Sequence, residues 1–247
     1  MFKINYIDGE NGTDIVINSI NSDSNTTFMF FCGDIQDLNE NLSMDRLKFS
    51  LENTFTLLYD RIPAKSNLLV IRSCMLLSGI SVYANFYSHD KNMNPIFQDS
   101  SLKCIERIKN ILENLEIKET DLVLIGFSKG CTVLTKLFRE IKNCENYSDL
   151  LDRITRIYFL DSGHNGRDNL WPNFSFDFPL CFSPKVFAYG TNYQLNNPLK
   201  ISNRKSFDEF CKLLDKSNIQ HNYGILLEDD SEPTIETHFR ILNVFPF

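Results

Sequence analysis

Leu122-Val123-Leu124-Ile125-Gly126-Phe127-Ser128-Lys129-Gly130, running on into Cys131 to Ile141, is the stretch that decides how this chain is read. The apolar run predicts a buried strand, and Cys131 to Ile141 carries a helical pattern. Between them stands Gly-x-Ser-x-Gly. A strand, this turn and then a helix make the setting of a nucleophile elbow. There a serine sits on strained backbone with its hydroxyl raised above a sheet. Gly126 and Gly130 suit such a turn because larger side chains would collide with the neighbouring strand and helix. The pentapeptide alone is common; its flanks make it informative.

Working outward, Phe2 to Ile7 and Ile15 to Ile20 alternate around Gly9-Glu10-Asn11-Gly12 and read as an N-terminal antiparallel hairpin. Thr27 to Cys32 reads as a buried strand ending in Gly33-Asp34. Ser43 to about Tyr59 reads as a helix with Ser43 as its N-cap. Leu68 to Ile71 is a strand, and Arg72 to Pro95 is ambiguous. Ser101 is placed to cap a helix striped by Leu102, Ile105, Ile108, Leu112 and Leu115. Beyond the elbow come a strand from Ile154 to Leu160, ending at Asp161, and another from Val186 to Tyr189. A helix over Ser206 to Lys216, a strand over Ile225 to Glu228 and a short helix over Glu236 to Leu242 complete the chain. Strands alternating with helices imply an α/β fold with a mostly parallel sheet covered by helices on both faces.

The chain has 247 residues, 43% of them apolar and 23% charged, which suits a single domain over residues 1–247 with a large core. No linker composition or internal repeat divides it. The formal charge of −7 is spread along the chain, arguing against nucleic acid or an anionic membrane surface as the main partner. No apolar run is long enough to span a membrane. The seven cysteines are scattered, with no C-x-x-C pair, so neither a zinc site nor a disulfide framework is expected, and no cofactor is implied. The start, Met-Phe-Lys-Ile-Asn-Tyr-Ile-Asp, has neither a secretory apolar region nor a transit-peptide composition. A cytoplasmic, not secreted, protein is the expectation.

Ser128 is the candidate nucleophile, and it needs a base. In an α/β-hydrolase the acid and then the base follow the serine along the chain. Of the four histidines, His238 lies past the last strand, where that order delivers the imidazole. The bland reading is a half-buried histidine on the last helix. The acid belongs at the end of a strand after the elbow, where it orients the imidazole. Gly190 to Asn197 holds no carboxylate, so elimination points to Asp161, with Asp229 and Asp230 as competitors. Asp161 also reads as a plain turn residue before Ser162-Gly163-His164.

For the oxyanion, the backbone N–H of Lys129 and that of Asp34 or Ile35 are the candidate donors, Gly33 letting the loop approach closely. The Lys129 side chain would either steer an anionic substrate or stand solvated on the first helical turn, the second being the expectation. His164 is a candidate substrate contact or alternative base; a turn residue bonding backbone is the plainer reading. The segment of about 164–184, where α/β-hydrolases insert caps, holds Trp171, Phe174, Phe176, Phe178 and Phe182. These aromatics either wall an apolar acyl pocket, with Trp171 as a contact, or anchor a long loop.

At these residues the chain resembles uncharacterised protein family 0565, the homologues of human chromosome 2 open reading frame 69. The likeness rests on Gly126-Phe127-Ser128-Lys129-Gly130-Cys131 and on Leu160-Asp161-Ser162-Gly163-His164, where the family usually has Asp-Gly-Gly-His. Glu236-Thr237-His238-Phe239-Arg240 and Cys32-Gly33-Asp34-Ile35-Gln36 support it. The resemblance implies an α/β-hydrolase-like fold and a serine-hydrolase site, and supplies no substrate. Human-type members carry an N-terminal extension linked to mitochondria, whereas this sequence starts at the domain.

Two functions follow. One is an intracellular serine hydrolase acting on a small or lipid-like ester or thioester through an acyl-serine. The other is a non-catalytic binding or scaffold protein on the same fold.

Overall fold

The computed structural model describes residues 2–97, 101–163, 171–173, 182–197, 201–230 and 233–247. Along the chain run β1 (Lys3–Gly9), β2 (Gly12–Ser19), β3 (Thr26–Phe31), α1 (Leu51–Tyr59) and β4 (Asn67–Arg72). Two small hairpins follow, β5 (Met75–Leu77) with β6 (Ile80–Val82) and β7 (Ser88–His89) with β8 (Pro95–Ile96). Then come α2 (Lys103–Asn114), β9 (Asp121–Phe127), α3 (Cys131–Glu140), α4 (Ser148–Asp152) and β10 (Ile154–Leu160). β11 (Lys185–Thr191), α5 (Asn192–Leu195), α6 (Ile201–Asp215), β12 (His221–Leu226) and α7 (Ile235–Val244) finish it.

The main sheet has eight strands in the order β1-β2-β4-β3-β9-β10-β11-β12. β2 is antiparallel to both β1 and β4, and every other neighbouring pair is parallel. The central strands are buried on both faces, as parallel strands under helices must be. In β9, Leu122 and Leu124 join the core beneath α2, α3 and α6, while Val123, Ile125 and Phe127 join the core beneath α1 and α7. The same alternation in β10 sends Ile157 and Phe159 to the first core and Tyr158 and Leu160 to the second. From β3 the chain passes to β4 on one side, and β9 lies on the other. This reversal of strand order falls at the carboxyl ends of β3 and β9, the usual ligand position in an open α/β sheet.

Some local expectations need correction. The region from Ser43 is not one helix. A 3₁₀ segment covers Met44–Phe49, and Ser50 caps α1 by accepting the Asn53 N–H at 3.1 Å, while Ser43 makes no cap bond. α2 likewise lacks a cap from its own sequence. Glu140, reaching from α3, accepts the N–H groups of Cys104 and Ile105 at 3.0 and 2.9 Å. Among the described residues no helix is long and apolar enough to cross a membrane.

Candidate active site

The turn after β9 holds Ser128 at φ +51°, in the left-handed region where a residue with a side chain is strained. Both flanking glycines are required by space. A Cβ on Gly130 would lie 2.0 Å from the Phe31 carbonyl oxygen, and one on Gly126 would lie 2.8 Å from Cys131 Cα. β3 and α3 therefore close on the turn from two sides. Cys131 Sγ ties the elbow to its neighbour by reaching the Gly126 and Leu160 carbonyls. Ser128 is 5% exposed, and its Oγ makes no hydrogen bond among the described residues.

Asp161 follows β10, also at positive φ, +48°. Its Oδ1 accepts the Thr191 N–H at 2.6 Å, and its Oδ2 accepts the Thr191 hydroxyl at 2.7 Å and His238 Nδ1 at 2.6 Å. The carboxylate can only accept, so Nδ1 carries the ring proton and Nε2 is left as the acceptor. His238 and Asp161 are both buried. α7 holds the histidine through a capping box, in which the Thr234 side chain accepts the Glu236 N–H and Thr237 Oγ1 accepts the Thr234 N–H. The imidazole stacks on Phe127, the residue before Ser128, with centroids 4.5 Å apart, and on Tyr193 of α5 at 5.0 Å. Of the competing acids, Asp230 is engaged elsewhere. Asp230 makes a surface ion pair with Arg240 at 3.0 Å. The other described histidines are also engaged away from the elbow, His89 with the Asp90 carbonyl and His221 with Asp215.

The loop after β3 reaches the elbow: a Cβ on Gly33 would come within 2.9 Å of Ser128 Cβ. The loop is pinned from within. Gly33 N–H donates to Gln36 Oε1 at 2.7 Å, and Asp34 Oδ1 accepts the Ser81 N–H at 2.8 Å. Ile35 is corrected as an oxyanion donor, because its N–H donates to the Gly79 carbonyl at 2.7 Å. That leaves Asp34 as the loop's candidate. The Lys129 side chain is corrected too. It is 3% exposed rather than solvated, burial pushes its ammonium below the ordinary lysine value, and Asp34 and Asp90 oppose that shift.

Trp171 is corrected as a substrate contact. It is fully buried on the α6 side of the sheet, among Phe159, Phe207 and Phe210. Phe182 is also core, against Phe138. For these two, anchoring describes the packing. His164, Phe174, Phe176 and Phe178 lie outside the described residues. Sequence reasoning missed Thr191 and Tyr193. Thr191 ends β11, the strand beside β10, and Tyr193 follows it, and that adjacency was the available signal. The Tyr193 phenol is pushed up by burial and by the Asp161 and Asp34 carboxylates, placing it in the field of both the acid and the loop after β3.

The family model described as C2orf69 matches residues 13–116 and 89–220. The chain belongs to the C2orf69 family. The mitochondrial protein C2orf69 homolog of Danio rerio is 25% identical over 255 aligned positions, covering 90% of this chain and 74% of that protein. The mitochondrial protein C2orf69 homolog of Mus musculus is 32% identical over 137 positions, covering 53% of this chain and only 37% of its own length. Among solved structures, carboxylesterase CesB (YbfK) from Bacillus subtilis superposes with a TM-score of 0.51 at 10% identity, covering 98% of this chain and 87% of the esterase. At that identity the likeness concerns the fold alone, and the fold of this C2orf69 family member is that of an α/β-hydrolase.

Proposed function

We propose that this chain is a serine hydrolase acting on an ester or thioester through an acyl-serine. One observation carries the reading. The buried 2.6 Å pair between His238 Nδ1 and Asp161 Oδ2 packs against Phe127, beside a serine held at positive φ. Ser128 Oγ attacks the substrate carbonyl carbon while His238 Nε2 takes the hydroxyl proton. Asp161 holds the ring in the required tautomer and stabilises its charged form. The N–H groups of Lys129 and Asp34 receive the oxyanion. His238 then protonates the leaving alcohol or thiol as its bond to carbon breaks. Water, deprotonated by His238, next attacks the acyl-serine, and Ser128 leaves with its proton restored.

A binding protein on the same fold is the second reading, favoured by Ser128 Oγ having no hydrogen bond among the described residues. Catalytic bonds often tighten only when substrate is present. A fluorophosphonate probe separates the two. It is expected to label the wild type at Ser128 and to leave Ser128→Ala unlabelled. Equal labelling of both proteins would sink the hydrolase reading. The relatives are named mitochondrial proteins, which favours that compartment over the cytoplasm expected from the sequence start.

A further inference from the structure

Three successive peptide groups run along the loop beside Ser128, and each is held by a partner distant in sequence or by a side chain of the loop itself. The Cys32–Gly33 peptide is fixed at both ends. The Tyr83 hydroxyl donates to the Cys32 carbonyl at 2.8 Å, and the Gly33 N–H donates to Gln36 Oε1 at 2.7 Å. The Asp34–Ile35 peptide is fixed by its N–H, which donates to the Gly79 carbonyl at 2.7 Å. The middle peptide, Gly33–Asp34, carries the N–H that receives the oxyanion in the serine-hydrolase reading. Its carbonyl accepts the Ser81 hydroxyl at 2.8 Å. Ser81 is fully buried on β6, and its own N–H donates to Asp34 Oδ1 at 2.8 Å. One residue therefore grips this peptide by its carbonyl and by the side chain that follows.

Resting on the serine-hydrolase reading, we propose that Ser81 is a positioning residue for the oxyanion: its hydroxyl holds the Gly33 carbonyl so that the Asp34 N–H stays aimed at the charge developing beside Ser128. A trans peptide sets its N–H opposite its C=O, so fixing one fixes the other. The peptide starts at Gly33, where a Cβ would lie 2.9 Å from Ser128 Cβ, so the donor borders the nucleophile. Glycine restricts backbone rotation least, and a bound carbonyl stops the peptide from turning. The bond also polarises the peptide and strengthens its N–H as a donor. The β5–β6 hairpin, which stands apart from the main sheet, thereby gains a role. Through Ser81 and Gly79 it braces the loop after β3. Ser81 acts through Asp34 and touches no reacting atom itself.

Fluorophosphonate labelling reads this positioning. Ser128 Oγ bonds to phosphorus as fluoride leaves and His238 takes the hydroxyl proton, while the phosphoryl oxygen gains charge where the oxyanion would sit. Rates are measured against probe concentration and pH for wild type, Ser81→Ala, Ser81→Thr and Ser81→Val, with thermal melts confirming folding. Thr and Val match in shape and differ by the hydroxyl. The limiting rate of Ser81→Ala and Ser81→Val is expected to fall on the order of a hundredfold, the scale of a small misplacement of a reacting group. The half-saturating concentration and the pH midpoint should not move, because the His238–Asp161 pair is untouched. Ser81→Thr should restore most of the rate. Ser81→Ala removes only the hydroxyl and keeps the comparison intact where the branched residues disturb this buried site. Wild-type rates for Ser81→Ala and Ser81→Val would overturn the inference and spare the hydrolase reading. So would a folded Ser81→Thr as slow as Ser81→Val, or a loss confined to the half-saturating concentration. Equal labelling of wild type and Ser128→Ala would overturn both together.

Discussion

At the scale of single residues, the site depends on a few atoms held where their surroundings allow one arrangement. Asp161 makes three hydrogen bonds, two of them to Thr191 on the neighbouring strand, so its position is set before His238 arrives. Asp161→Asn should keep the Thr191 N–H bond to the side-chain carbonyl. It would present an NH₂ to Nδ1, forcing the ring proton onto Nε2 and removing the base. The expected result is a fall of about ten thousandfold in the fluorophosphonate labelling rate of a protein whose circular dichroism is unchanged. A variant labelled within tenfold of wild type would show that Asp161 is structural. The candidates Ser128 and His238 could be nominated from the sequence because an α/β-hydrolase orders its serine, acid and base along the chain. Ile35 and the Lys129 side chain were misread for one reason. Whether an N–H is already engaged, or an ammonium buried, depends on residues distant in sequence, here Gly79, Asp34 and Asp90.

At the scale of elements, α2 depends on α3. Glu140 caps the first turn of α2 and lies 3.4 Å from Lys136, with both side chains buried. Burial pushes the Glu140 carboxyl up to about 7, against the opposing pull of the two N–H groups and Lys136. A carboxyl whose folded value lies above its unfolded one contributes stability that is complete below the unfolded value, near 4.5, and is lost as pH rises through about 7. The loss is on the order of 3 kcal/mol. Urea midpoints measured from pH 4 to pH 8 should therefore fall more for wild type than for Glu140→Gln, which has no proton to lose. Parallel curves would refute the assignment. The same element pair explains a misplaced cap. Ser101 has the right residue type but stands one residue before the N-cap, which is Leu102, and the bonding group comes from α3. Strands were easier to read, because parallel strands buried on both faces appear as continuous apolar runs.

At the scale of the whole molecule, the candidate site and the core share α7. The helix that carries His238 also inserts Phe239, Ile241 and Leu242 into the core over α1, with Phe245 just beyond it. Burying four such side chains contributes on the order of 10 kcal/mol, comparable to the whole stability of a typical domain. Deleting residues 234–247 should leave a protein without a cooperative thermal transition by circular dichroism; a folded truncation would show α7 to be an appendage. The sequence alone determined the alternation of strands and helices, the strand–turn–helix between β9 and α3, and the chain order of the candidate serine, acid and base. Those are local patterns, legible from period, glycine and order. Only the tertiary structure decided that Asp161 rather than Asp229 or Asp230 meets His238, that the Ile35 N–H is engaged, that Trp171 belongs to the core, and that the Lys129 side chain packs against the protein rather than standing solvated. Each of these turns on which strand ends and loops meet in space, and that is set by packing the whole sheet.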